Sequence, residues 1–598
     1  MLKTHSCGEL TKKDINAEVT LAGWVDRRRD HGGLIFIDLR DKGGIIQVVF
    51  NPEISKDAHK KANKVRSEYV VQVGGKVAPR QKGTENPKLK TGGIEVVAES
   101  IEILNPSKVP PFYINEDTEV DENLRLRYRY LDLRRARMKK NLELRHRVVK
   151  FIRDFLDAKD FVEIETPILT KSTPEGARDY LVPSRVHPGE FYALPQSPQQ
   201  IKQLLMVAGV ENYFQIARCF RDEDTRADRQ PEFTQLDLEM SFVDEEDILC
   251  LMEELFIALV KNIRPDIKVA QPFPHLSYAE AMKDYGTDKP ELRFGMKFQD
   301  LTDIFAKTEF SIFRQAIDSG GRVTGICAPG CADYSRKQLD ELNKFVVSLG
   351  GGGVVTIALG SAGGSLDKLK LDDAKSVVSK FLSLEQVKRM AKLFGAKAGD
   401  LLLIIAGKPR LVDNVLSELR LEVGRRLKLA DPKLFSFAFV RQFPLLRWDD
   451  EVGRWEAEHH PFTSPWEEDI ALLESAPEKV RGKHYDIVCN GYEIGGGSVR
   501  IHQSDLQRQI FRLSGYSDKE IDERFGHMLE AFQYGAPPHG GIAIGLDRVV
   551  MLLAGEETIR EVIAFPKNQA AVDLTFNAPS SVSQQQLKEL HLRLREEE

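Results

Sequence analysis

The segment from Phe214 to Met240 constrains this chain more than any other part of its sequence. Two apolar runs, FQIARCF and FTQLDLEM, flank the highly charged segment RDEDTRADRQPE. The alternation of apolar residues in both runs predicts a pair of strands. A simple hairpin uses roughly two to five turn residues, and this connection is far longer. A solvated turn would also explain the charge, but the length and the arginines indicate a binding element at the end of the hairpin.

A chain of 598 residues is expected to divide into roughly three or four domains. Its net charge of −6 gives no general sign of nucleic-acid binding, yet arginines cluster at 27–29 and at 125–137. The six cysteines are scattered, and no second pair or histidine cluster accompanies Cys327 and Cys331, so idle thiols are favoured over a zinc site. Sparse cysteine and the lack of a signal segment or a membrane-spanning run predict a cytoplasmic protein with no membrane partner.

The first part of the chain predicts a nucleic-acid-binding barrel. Five short β-rich segments up to about residue 104, with a helical patch near Asp57–Ser67, are typical of an OB-type barrel. Such barrels bind single-stranded nucleic acid through exposed aromatic side chains and basic loops. Pro110 and Pro111 mark a linker over 105–137. From residue 138 the apolar period becomes helical, and FVEIETPIL then predicts a strand that ends at Pro167.

Two later segments carry residues suited to phosphate and carboxylate chemistry. Asp486 and Glu493 lie on predicted strands on either side of a turn, and carboxylates beside a polyphosphate suit Mg²⁺. Gly495–Gly497 would let the backbone approach a ligand, and Arg500 follows on the same predicted strand. The strand GIAIGL leads into a predicted helix whose first turn holds Arg548, a suitable position for binding a terminal phosphate.

The motifs occur in the order barrel, proline-ended strand, charged hairpin, GGGSVRIH and GLDR. This order resembles the class II aminoacyl-tRNA synthetases over essentially the whole chain, most closely their bacterial-type aspartyl branch, in which Asp547 replaces the more common glutamate. The resemblance implies an α+β multidomain fold: an N-terminal OB-fold β-barrel, an antiparallel-sheet catalytic domain with helices, and an inserted α+β domain. The implied parts are an anticodon-binding domain (1–104), a linker or hinge (105–137), a first catalytic part with motifs 1 and 2 (138–285), an inserted bacterial-type domain (286–415), a second catalytic part with motif 3 (416–556) and a C-terminal extension (557–598).

The same resemblance implies roles for individual residues. The catalytic residues would be Arg221, which binds the ATP α-phosphate, and Arg548, which binds the terminal phosphate, while Asp486 and Glu493 would hold Mg²⁺. The implied aspartate-binding residues are Glu175, Ser197, Gln199, Lys202, Asp237, His459 and Arg500. Among these, Lys202 and Arg500 would meet the side-chain carboxylate, Asp237 the ammonium group, and His459 would close over the amino acid. The implied ATP-binding residues are Arg221, Asp222, Glu223, Gln230, Phe233, Glu493, Gly545, Leu546, Asp547 and Arg548. The implied anticodon-binding residues are Arg29, His31, Phe36, Gln47 and Glu95.

These roles imply a homodimeric ligase that activates L-aspartate with ATP and transfers it to the 3′ end of tRNA-Asp. Family members with histidine at the position of His31, near the third anticodon base, tend to charge tRNA-Asn as well, so we expect both tRNAs as partners. A strictly discriminating tRNA-Asp enzyme is the alternative. The asparaginyl and lysyl branches are rivals, and the cation pair Arg500 and Lys202 speaks against the asparaginyl branch. A tRNA-independent aspartate amide ligase would not need the barrel, and a pure nucleic-acid-binding module would leave the phosphate-binding set unexplained.

Overall fold

The computed structural model describes residues 2–116, 118–173, 176–360 and 370–595. The chain forms two compact units. The first comprises residues 1–140, 564–568 and 572–579, and the second comprises residues 141–563, 569–571 and 580–598. The C-terminal extension predicted over 557–598 is therefore shared between the two units. None of the helices in the described part of the chain combines the length and the apolar character that a membrane crossing requires.

The first unit contains the predicted barrel. Its elements are β1 (Glu18–His31), β2 (Leu34–Arg40), β3 (Ile45–Phe50), α1 (Lys56–Lys64), β4 (Val70–Pro79) and β5 (Ile94–Asn105). The five strands close in the order β1-β2-β3-β5-β4. Because side chains alternate along a strand, Ile35, Ile37 and Leu39 of β2 all face the barrel core. The OB-type barrel and its helix are confirmed.

The segment predicted as a linker over 105–137 contains ordered structure. It forms two short helices, α2 (Glu122–Arg127) and α3 (Arg129–Asp132). The fully buried Asp132 accepts hydrogen bonds from Arg125 Nε at 3.0 Å and from Arg129 Nη1 at 2.7 Å. A buried carboxylate is tolerated when charged donors surround it, so the arginines of this segment have a structural task.

The second unit is built on an eight-stranded sheet. Its elements up to residue 285 are α4 (Ala136–Asp157), β6 (Val162–Glu163), β7 (Leu181–Pro183), β8 (Phe191–Ala193), α5 (Gln199–Val207), β9 (Asn212–Phe220), β10 (Glu232–Ser241), α6 (Glu245–Ile263), β11 (Lys268–Val269), β12 (His275–Ser277) and α7 (Tyr278–Tyr285). The next elements form the inserted part: β13 (Gln299–Asp300), α8 (Ser311–Asp318), β14 (Arg322–Ala328), α9 (Arg336–Ser348), β15 (Val355–Leu359), β16 (Ala374–Lys375), α10 (Leu384–Phe394), β17 (Leu401–Gly407) and α11 (Pro409–Arg426). The last elements are β18 (Leu434–Phe435), β19 (Phe437–Arg441), β20 (Leu446–Asp449), β21 (Arg454–Ala457), β22 (His484–Cys489), β23 (Tyr492–Val499), α12 (Ser504–Leu513), α13 (Asp518–Phe532), β24 (His539–Gly545), α14 (Leu546–Ala554) and α15 (Gln584–Glu589).

The large sheet has the strand order β12-β19-β22-β23-β24-β10-β9-β6. Its central strands β22, β23, β24, β10 and β9 pair antiparallel. Leu236 and Leu238 of β10 pack into the main apolar core with Leu255 of α6 and Val550 of α14. This core covers one face of the sheet and leaves the opposite face for polar side chains.

The inserted part has its own five-stranded sheet, in the order β13-β14-β17-β15-β16. Helix α11 packs beside this sheet, since its Val412, Val415 and Leu416 share a core with Leu403 of β17. The predicted boundary at 415 falls inside α11. Pro409, at the first turn of α11, is the sequence signal for a helix that continues past that boundary.

Arg420 of α11 fixes the segment that enters the inserted part. Its guanidinium is almost fully buried and donates hydrogen bonds to the carbonyl oxygens of Glu291, Phe294, Gly295 and Met296. The aromatic rings of Tyr285 and Phe294 contact the same guanidinium, with the carbon Cζ 4.9 Å and 4.4 Å from their centroids. Burial lowers the pKa of Arg420 to about 10, which leaves it charged at neutral pH.

We predict that Arg420→Met destabilises this connection strongly. The variant leaves buried carbonyl oxygens without a donor, and each such group costs about 1–3 kcal/mol. Hydrogen–deuterium exchange of the peptides that cover 286–300 and α11 should accelerate at least about tenfold. Arg425→Met is the control, because Arg425 lies on the same helix and pairs with Glu422 in an exposed ion pair. Equal exchange in the two variants would contradict the anchoring role.

Candidate active site

The charged hairpin predicted from Phe214–Met240 is present. Strand β9 pairs antiparallel with β10, with Phe220 opposite Glu232, so residues 221–231 form the long connection. Both faces of β10 are buried, and the two faces differ in chemistry. Leu236 and Leu238 face the apolar core, while Asp237 and Glu239 lie on the opposite face. Two carboxylates are therefore buried on the polar face at the centre of the sheet.

The strand register places small residues between the polar ones. One row across the sheet runs from His484 through Ser498 and Gly541 to Glu239. The neighbouring row runs from Asp486 through Gly496 and Ala543 to Asp237. Each row thus has polar side chains at its two ends and small residues between them, so the sheet surface is shallow in the middle of the row.

Glycine is required at two of these positions because a side chain of the next strand lies against the backbone. A Cβ on Gly541 would be 2.1 Å from Glu239 Oε2, and a Cβ on Gly496 would be 2.4 Å from Asp486 Oδ1. Neither distance is compatible with a carbon atom. Gly541 thus provides room for Glu239. Gly496, in the motif GGGSVR, provides room for Asp486 as well as access for a ligand.

A cavity of about 310 Å³ opens over this face. Most of the predicted residues line it: Ser197, Gln199, Arg221, Glu223, Gln230, Phe233, His459, Asp486, Glu493, Arg500, Gly545, Asp547 and Arg548. Four predicted residues do not line it, namely Lys202, Asp222, Asp237 and Leu546. Asp222 is exposed and Leu546 is fully buried in the core, whereas Lys202 and Asp237 lie behind the wall. Glu175 lies outside the described residues.

Arg221 is available to an anionic ligand. Its guanidinium lies over the ring of Phe233, with Cζ 5.2 Å from the centroid. Among the described residues, its buried Nε has no hydrogen-bond partner. A buried donor without an acceptor is costly, and an anion in the cavity would satisfy it. The geometry therefore fits the predicted contact with a phosphate.

The helix α14 supplies a second arginine at the cavity. Arg548, in its first turn, donates from Nη1 to the carbonyl oxygen of Glu493 at 2.7 Å and pairs with Asp228 at 3.1 Å. The preceding residue has a structural role, since Asp547 Oδ2 accepts from the backbone N–H of Thr234 at 2.8 Å and Oδ1 accepts from Arg145. Asp547 thus attaches α14 to the hairpin strand β10, which fixes Arg548 relative to Arg221.

Behind one wall of the cavity lies a buried charge network. Lys202 of α5 is 1% exposed, and its Nζ donates to Asp237 Oδ1 at 2.7 Å, to Leu238 O at 3.3 Å and lies 3.2 Å from Glu239 Oε2. We expected Lys202 to face the substrate carboxylate and Asp237 to face the ammonium group. In this structure the two residues are each other's partners, because a buried ammonium requires counter-charges.

Arg500 is held by groups on three sides. Glu239 accepts from Nε at 2.9 Å and from Nη2 at 3.2 Å, so the pair is bidentate and buried. Nη1 donates to Ser498 Oγ at 2.8 Å and to His460 Nε2 at 2.9 Å. The histidine that contacts Arg500 is thus His460, the residue that follows the predicted His459.

The two network acids respond differently to burial. Burial raises the pKa of both carboxyls, and for Asp237 this effect exceeds that of Lys202, so its pKa lies above the usual range. For Glu239, Arg500 and Lys202 together outweigh burial and hold the pKa below the usual range. Glu239 is therefore the fixed negative charge between two buried cations.

Next to this network, His459 and His484 stack face to face, with ring centroids 3.6 Å apart. His484 Nε2 lies 2.9 Å from Asp486 Oδ1. Burial and the charge of Arg500 lower the pKa of His484 to about 3, so its ring is neutral. Burial and the negative charge of Glu493 raise the pKa of Asp486 well above the usual range.

In the barrel unit, the predicted anticodon residues share one outer face. Arg29 lies opposite Phe36 on neighbouring strands, and its Nη2 donates to Gln47 Oε1 at 3.2 Å. Gln47 Nε2 donates to Glu95 Oε2 at 2.7 Å. His31 is exposed at the end of β1, next to the turn that joins it to β2. The five residues therefore form one continuous strip.

Sequence reasoning missed three residues of the site, Glu239, His460 and His484. Glu239 follows Asp237 at a spacing of two in the strand FTQLDLEM, which puts both carboxylates on one face. His484 precedes Asp486 at the same spacing. This alternation within otherwise apolar strands is the signal that could have found Glu239 and His484, whereas no spacing indicated that His460 would reach Arg500.

A family model for class II tRNA synthetases (D, K and N) matches residues 121–569. This chain belongs to that family. A second model, for OB-fold nucleic acid binding domains, matches residues 19–104. The synthetase fold and the barrel predicted from the sequence are thereby confirmed, and the chain is an aminoacyl-tRNA synthetase.

Similar proteins span the whole synthetase chain. Aspartate--tRNA(Asp/Asn) ligase from Dehalococcoides mccartyi is 59% identical over 597 residues, which is 100% of both chains. The protein of the same name from Syntrophomonas wolfei is 54% identical over 596 residues, again 100% of both chains. Among solved structures, asparaginyl-tRNA synthetase from Pyrococcus horikoshii complexed with asparaginyl-adenylate has a TM-score of 0.58 at 20% identity, covering 95% of this chain and 98% of that chain. At that identity the likeness shows the fold alone.

We predict that Glu239→Gln destabilises the second unit of this synthetase by about 3–5 kcal/mol, because it leaves two buried cations with one counter-charge. Glu232→Gln on the same strand is the control, since Glu232 forms a partly exposed pair with Arg218 and should cost less than about 1 kcal/mol. Urea unfolding followed by tryptophan fluorescence measures both, because Trp448, Trp455 and Trp466 all lie in this unit. Similar losses in the two variants would contradict the network.

Proposed function

We propose that this synthetase is an aspartate–tRNA ligase, the activity for which its full-length relatives are named. The observation that carries the proposal is the buried Arg500 at the cavity wall. Glu239 orients its guanidinium, and its contacts with Ser498 and His460 are to neutral groups that a carboxylate can replace. Aspartate offers two equivalent acceptor oxygens for such a fork. Asparagine would turn an amide N–H₂ group toward a cation, so the pocket disfavours it.

Lys202 remains the second candidate for the substrate carboxylate. All three of its hydrogen-bond partners are protein atoms here, so a direct contact requires Lys202 to exchange one of them for the substrate. Release of Asp237 from Lys202 would then free a carboxylate for the substrate ammonium group. Asp237 Oδ2, which is buried without a partner among the described residues, is already the atom best placed for this. The two predicted contacts would thus form together.

The first half-reaction follows from the arginines. An oxygen of the aspartate α-carboxylate attacks the α-phosphorus of ATP, the bond to the β-phosphate oxygen breaks, and aspartyl-adenylate and pyrophosphate form. Arg221, whose Nε has no partner among the described residues, would donate to the α-phosphate oxygens as negative charge develops there. Phe233 would stack on the adenine, and Arg548 would bind the departing pyrophosphate. The 3′-terminal ribose hydroxyl of tRNA then attacks the activated carbonyl, and AMP leaves.

The donor set at Asp486 and Glu493 fits a magnesium ion. Both groups are carboxylates, and their mutual repulsion contributes to the raised pKa of Asp486. A hard divalent cation that keeps several water and phosphate ligands suits such a pair. When bound, Mg²⁺ would neutralise charge on the phosphate oxygens. Asp486 and Glu493 would thereby orient the triphosphate between Arg221 and Arg548.

The barrel residues support recognition of an anticodon. Phe36 offers a half-buried ring for base stacking, Gln47 and Glu95 offer hydrogen-bonding groups, and Arg29 offers a charge for phosphate. His31 lies at the end of this strip, and relatives named for both tRNA-Asp and tRNA-Asn support the broader specificity. We therefore propose that the enzyme charges both tRNAs.

The assembly proposed is a homodimer. Val162, Ile168 and Leu169, in the segment that resembles motif 1, are 54%, 47% and 53% exposed. Large apolar side chains in one exposed segment favour burial against a second copy. We place the enzyme in the cytoplasm, with which the free thiols of all six cysteines are compatible.

We predict that Arg500→Leu lowers kcat/KM for aspartate about 100-fold, which corresponds to about 3 kcal/mol of lost charge pairing. ATP–pyrophosphate exchange at varied aspartate measures the effect, and the KM for ATP should change far less. Arg508→Leu is the control, because Arg508 forms a surface pair with Asp522. An unchanged KM for aspartate in Arg500→Leu would contradict the role.

Aspartylation of tRNA-Asp and tRNA-Asn transcripts, side by side, tests the proposed function. We expect both to be charged, and we expect His31→Leu to reduce charging of tRNA-Asn at least about tenfold relative to tRNA-Asp, as one lost base contact would. Aspartate activation without tRNA provides the reference for each preparation. Charging of tRNA-Asp alone by the unmodified enzyme would exclude the dual specificity. Charging of neither, with AMP released in the absence of tRNA, would favour the amide ligase.

A further inference from the structure

Three side chains of the types that can bind a metal ion lie close together at the cavity. His459, His484 and Asp486 each offer one ligand atom, and these atoms lie within 4.8 Å of one another. We propose that they form a site for a transition-metal ion of the zinc type, different in chemistry from the magnesium site at Asp486 and Glu493. Its consequence for catalysis rests on the function proposed above, but binding of the ion does not.

The ligand types separate the two ions. Imidazole nitrogen is a preferred ligand of Zn²⁺ and Co²⁺, and two imidazoles with one carboxylate form a common three-ligand zinc set that leaves a position for water. Magnesium prefers oxygen ligands and keeps much of its water. His459 and His484 would therefore add affinity for zinc and little for magnesium.

Two of the three ligands are already in position. His484 and Asp486 are buried, and His484 Nε2 lies 2.9 Å from Asp486 Oδ1. His484 Nδ1 is also buried, and among the described residues it has no hydrogen-bond partner. One ring nitrogen thus contacts the carboxylate while the other is unsatisfied. A purely structural histidine would be expected to satisfy both nitrogens.

The third ligand has to turn. The rings of His459 and His484 are nearly parallel, at 7°, with centroids 3.6 Å apart. Lone pairs of parallel stacked imidazoles point side by side and do not converge on one ion. Both rings contact Phe443, with centroid distances of 4.7 Å for His459 and 4.9 Å for His484, but His459 is exposed and His484 is buried. His459 is therefore the residue that would rotate, bringing the ligand atoms to the spacing of about 3.4 Å that zinc–nitrogen bonds of about 2.1 Å require.

The surroundings favour a cation. Asp288 and Glu493 both act electrostatically on His459 and Asp486, and each adds negative charge near the cluster. Lys289 and Arg500 oppose them from the other sides. Because Asp486 belongs to both sites, an ion held by the two histidines would remove one ligand of the magnesium site. Zinc should consequently inhibit aspartate activation in competition with Mg²⁺.

Metal titration of the full-length protein, free of nucleotide and Mg²⁺, tests the site. Co²⁺ should bind at one equivalent with the visible absorption of nitrogen and oxygen ligation, and Zn²⁺ should displace it. His484→Ala and His459→Ala should each weaken Zn²⁺ binding at least about tenfold, while His187→Ala, which removes an exposed imidazole elsewhere, should bind Zn²⁺ like the unmodified protein. His459→Ala lies at an exposed position, so it preserves the test if His484→Ala unfolds.

Three results would overturn the site. They are no stoichiometric binding by the unmodified protein, equal binding by both histidine variants and the control, and thiolate-to-cobalt charge-transfer bands, which would place the ion at a cysteine. In a second measurement, the zinc concentration that halves ATP–pyrophosphate exchange at fixed Mg²⁺ should rise at least about tenfold in His484→Ala. A protein that binds zinc but lacks exchange activity at any zinc concentration would contradict the proposed function and leave the metal site intact.

Discussion

The pairing of Glu239 with Arg500 is the interaction on which the active site depends. Both side chains are buried, and the bidentate contact fixes the guanidinium at the cavity wall. Lys202 and Asp237 complete a network of two basic and two acidic side chains. Such networks stabilise little on balance, but removing one member is expensive because its partner is left buried alone. The network therefore secures a specific arrangement of charge rather than a large stability.

The sheet makes this arrangement possible. Strand β10 buries leucines on one face and carboxylates on the other, and the strands beside it carry glycine, serine and alanine opposite those carboxylates. Bulky residues there would collide with Glu239 and fill the cavity. The same register brings Arg221 to one end of β10, and Asp547 attaches the helix of Arg548 to that strand. The groups that we propose to bind phosphate and carboxylate are thus fixed by one strand and its neighbours.

The sequence predicted the elements better than the contacts. The hairpin, the barrel and the helix that carries Arg548 follow from alternation, turn residues and apolar period, which act over a few residues. The partners of Lys202, Asp237 and Glu239, lie on strand β10. The sequence of helix α5 alone therefore gave no sign that Lys202 is buried against them. The contact of His460 with Arg500 likewise joins positions forty residues apart. The end predicted for the inserted part, at 415, falls inside α11, because the apolar positions of that helix follow almost directly on the apolar run of β17.

We propose that the charge network around Arg500 selects an amino acid with a carboxylate side chain. The decisive measurement of this selectivity is ATP–pyrophosphate exchange without tRNA. It compares L-aspartate with L-asparagine at equal concentrations. We expect ready exchange with aspartate and a kcat/KM for asparagine lower by at least about 1,000-fold, since asparagine has no side-chain carboxylate to accept the hydrogen bonds of Arg500. Comparable exchange with the two amino acids would contradict it.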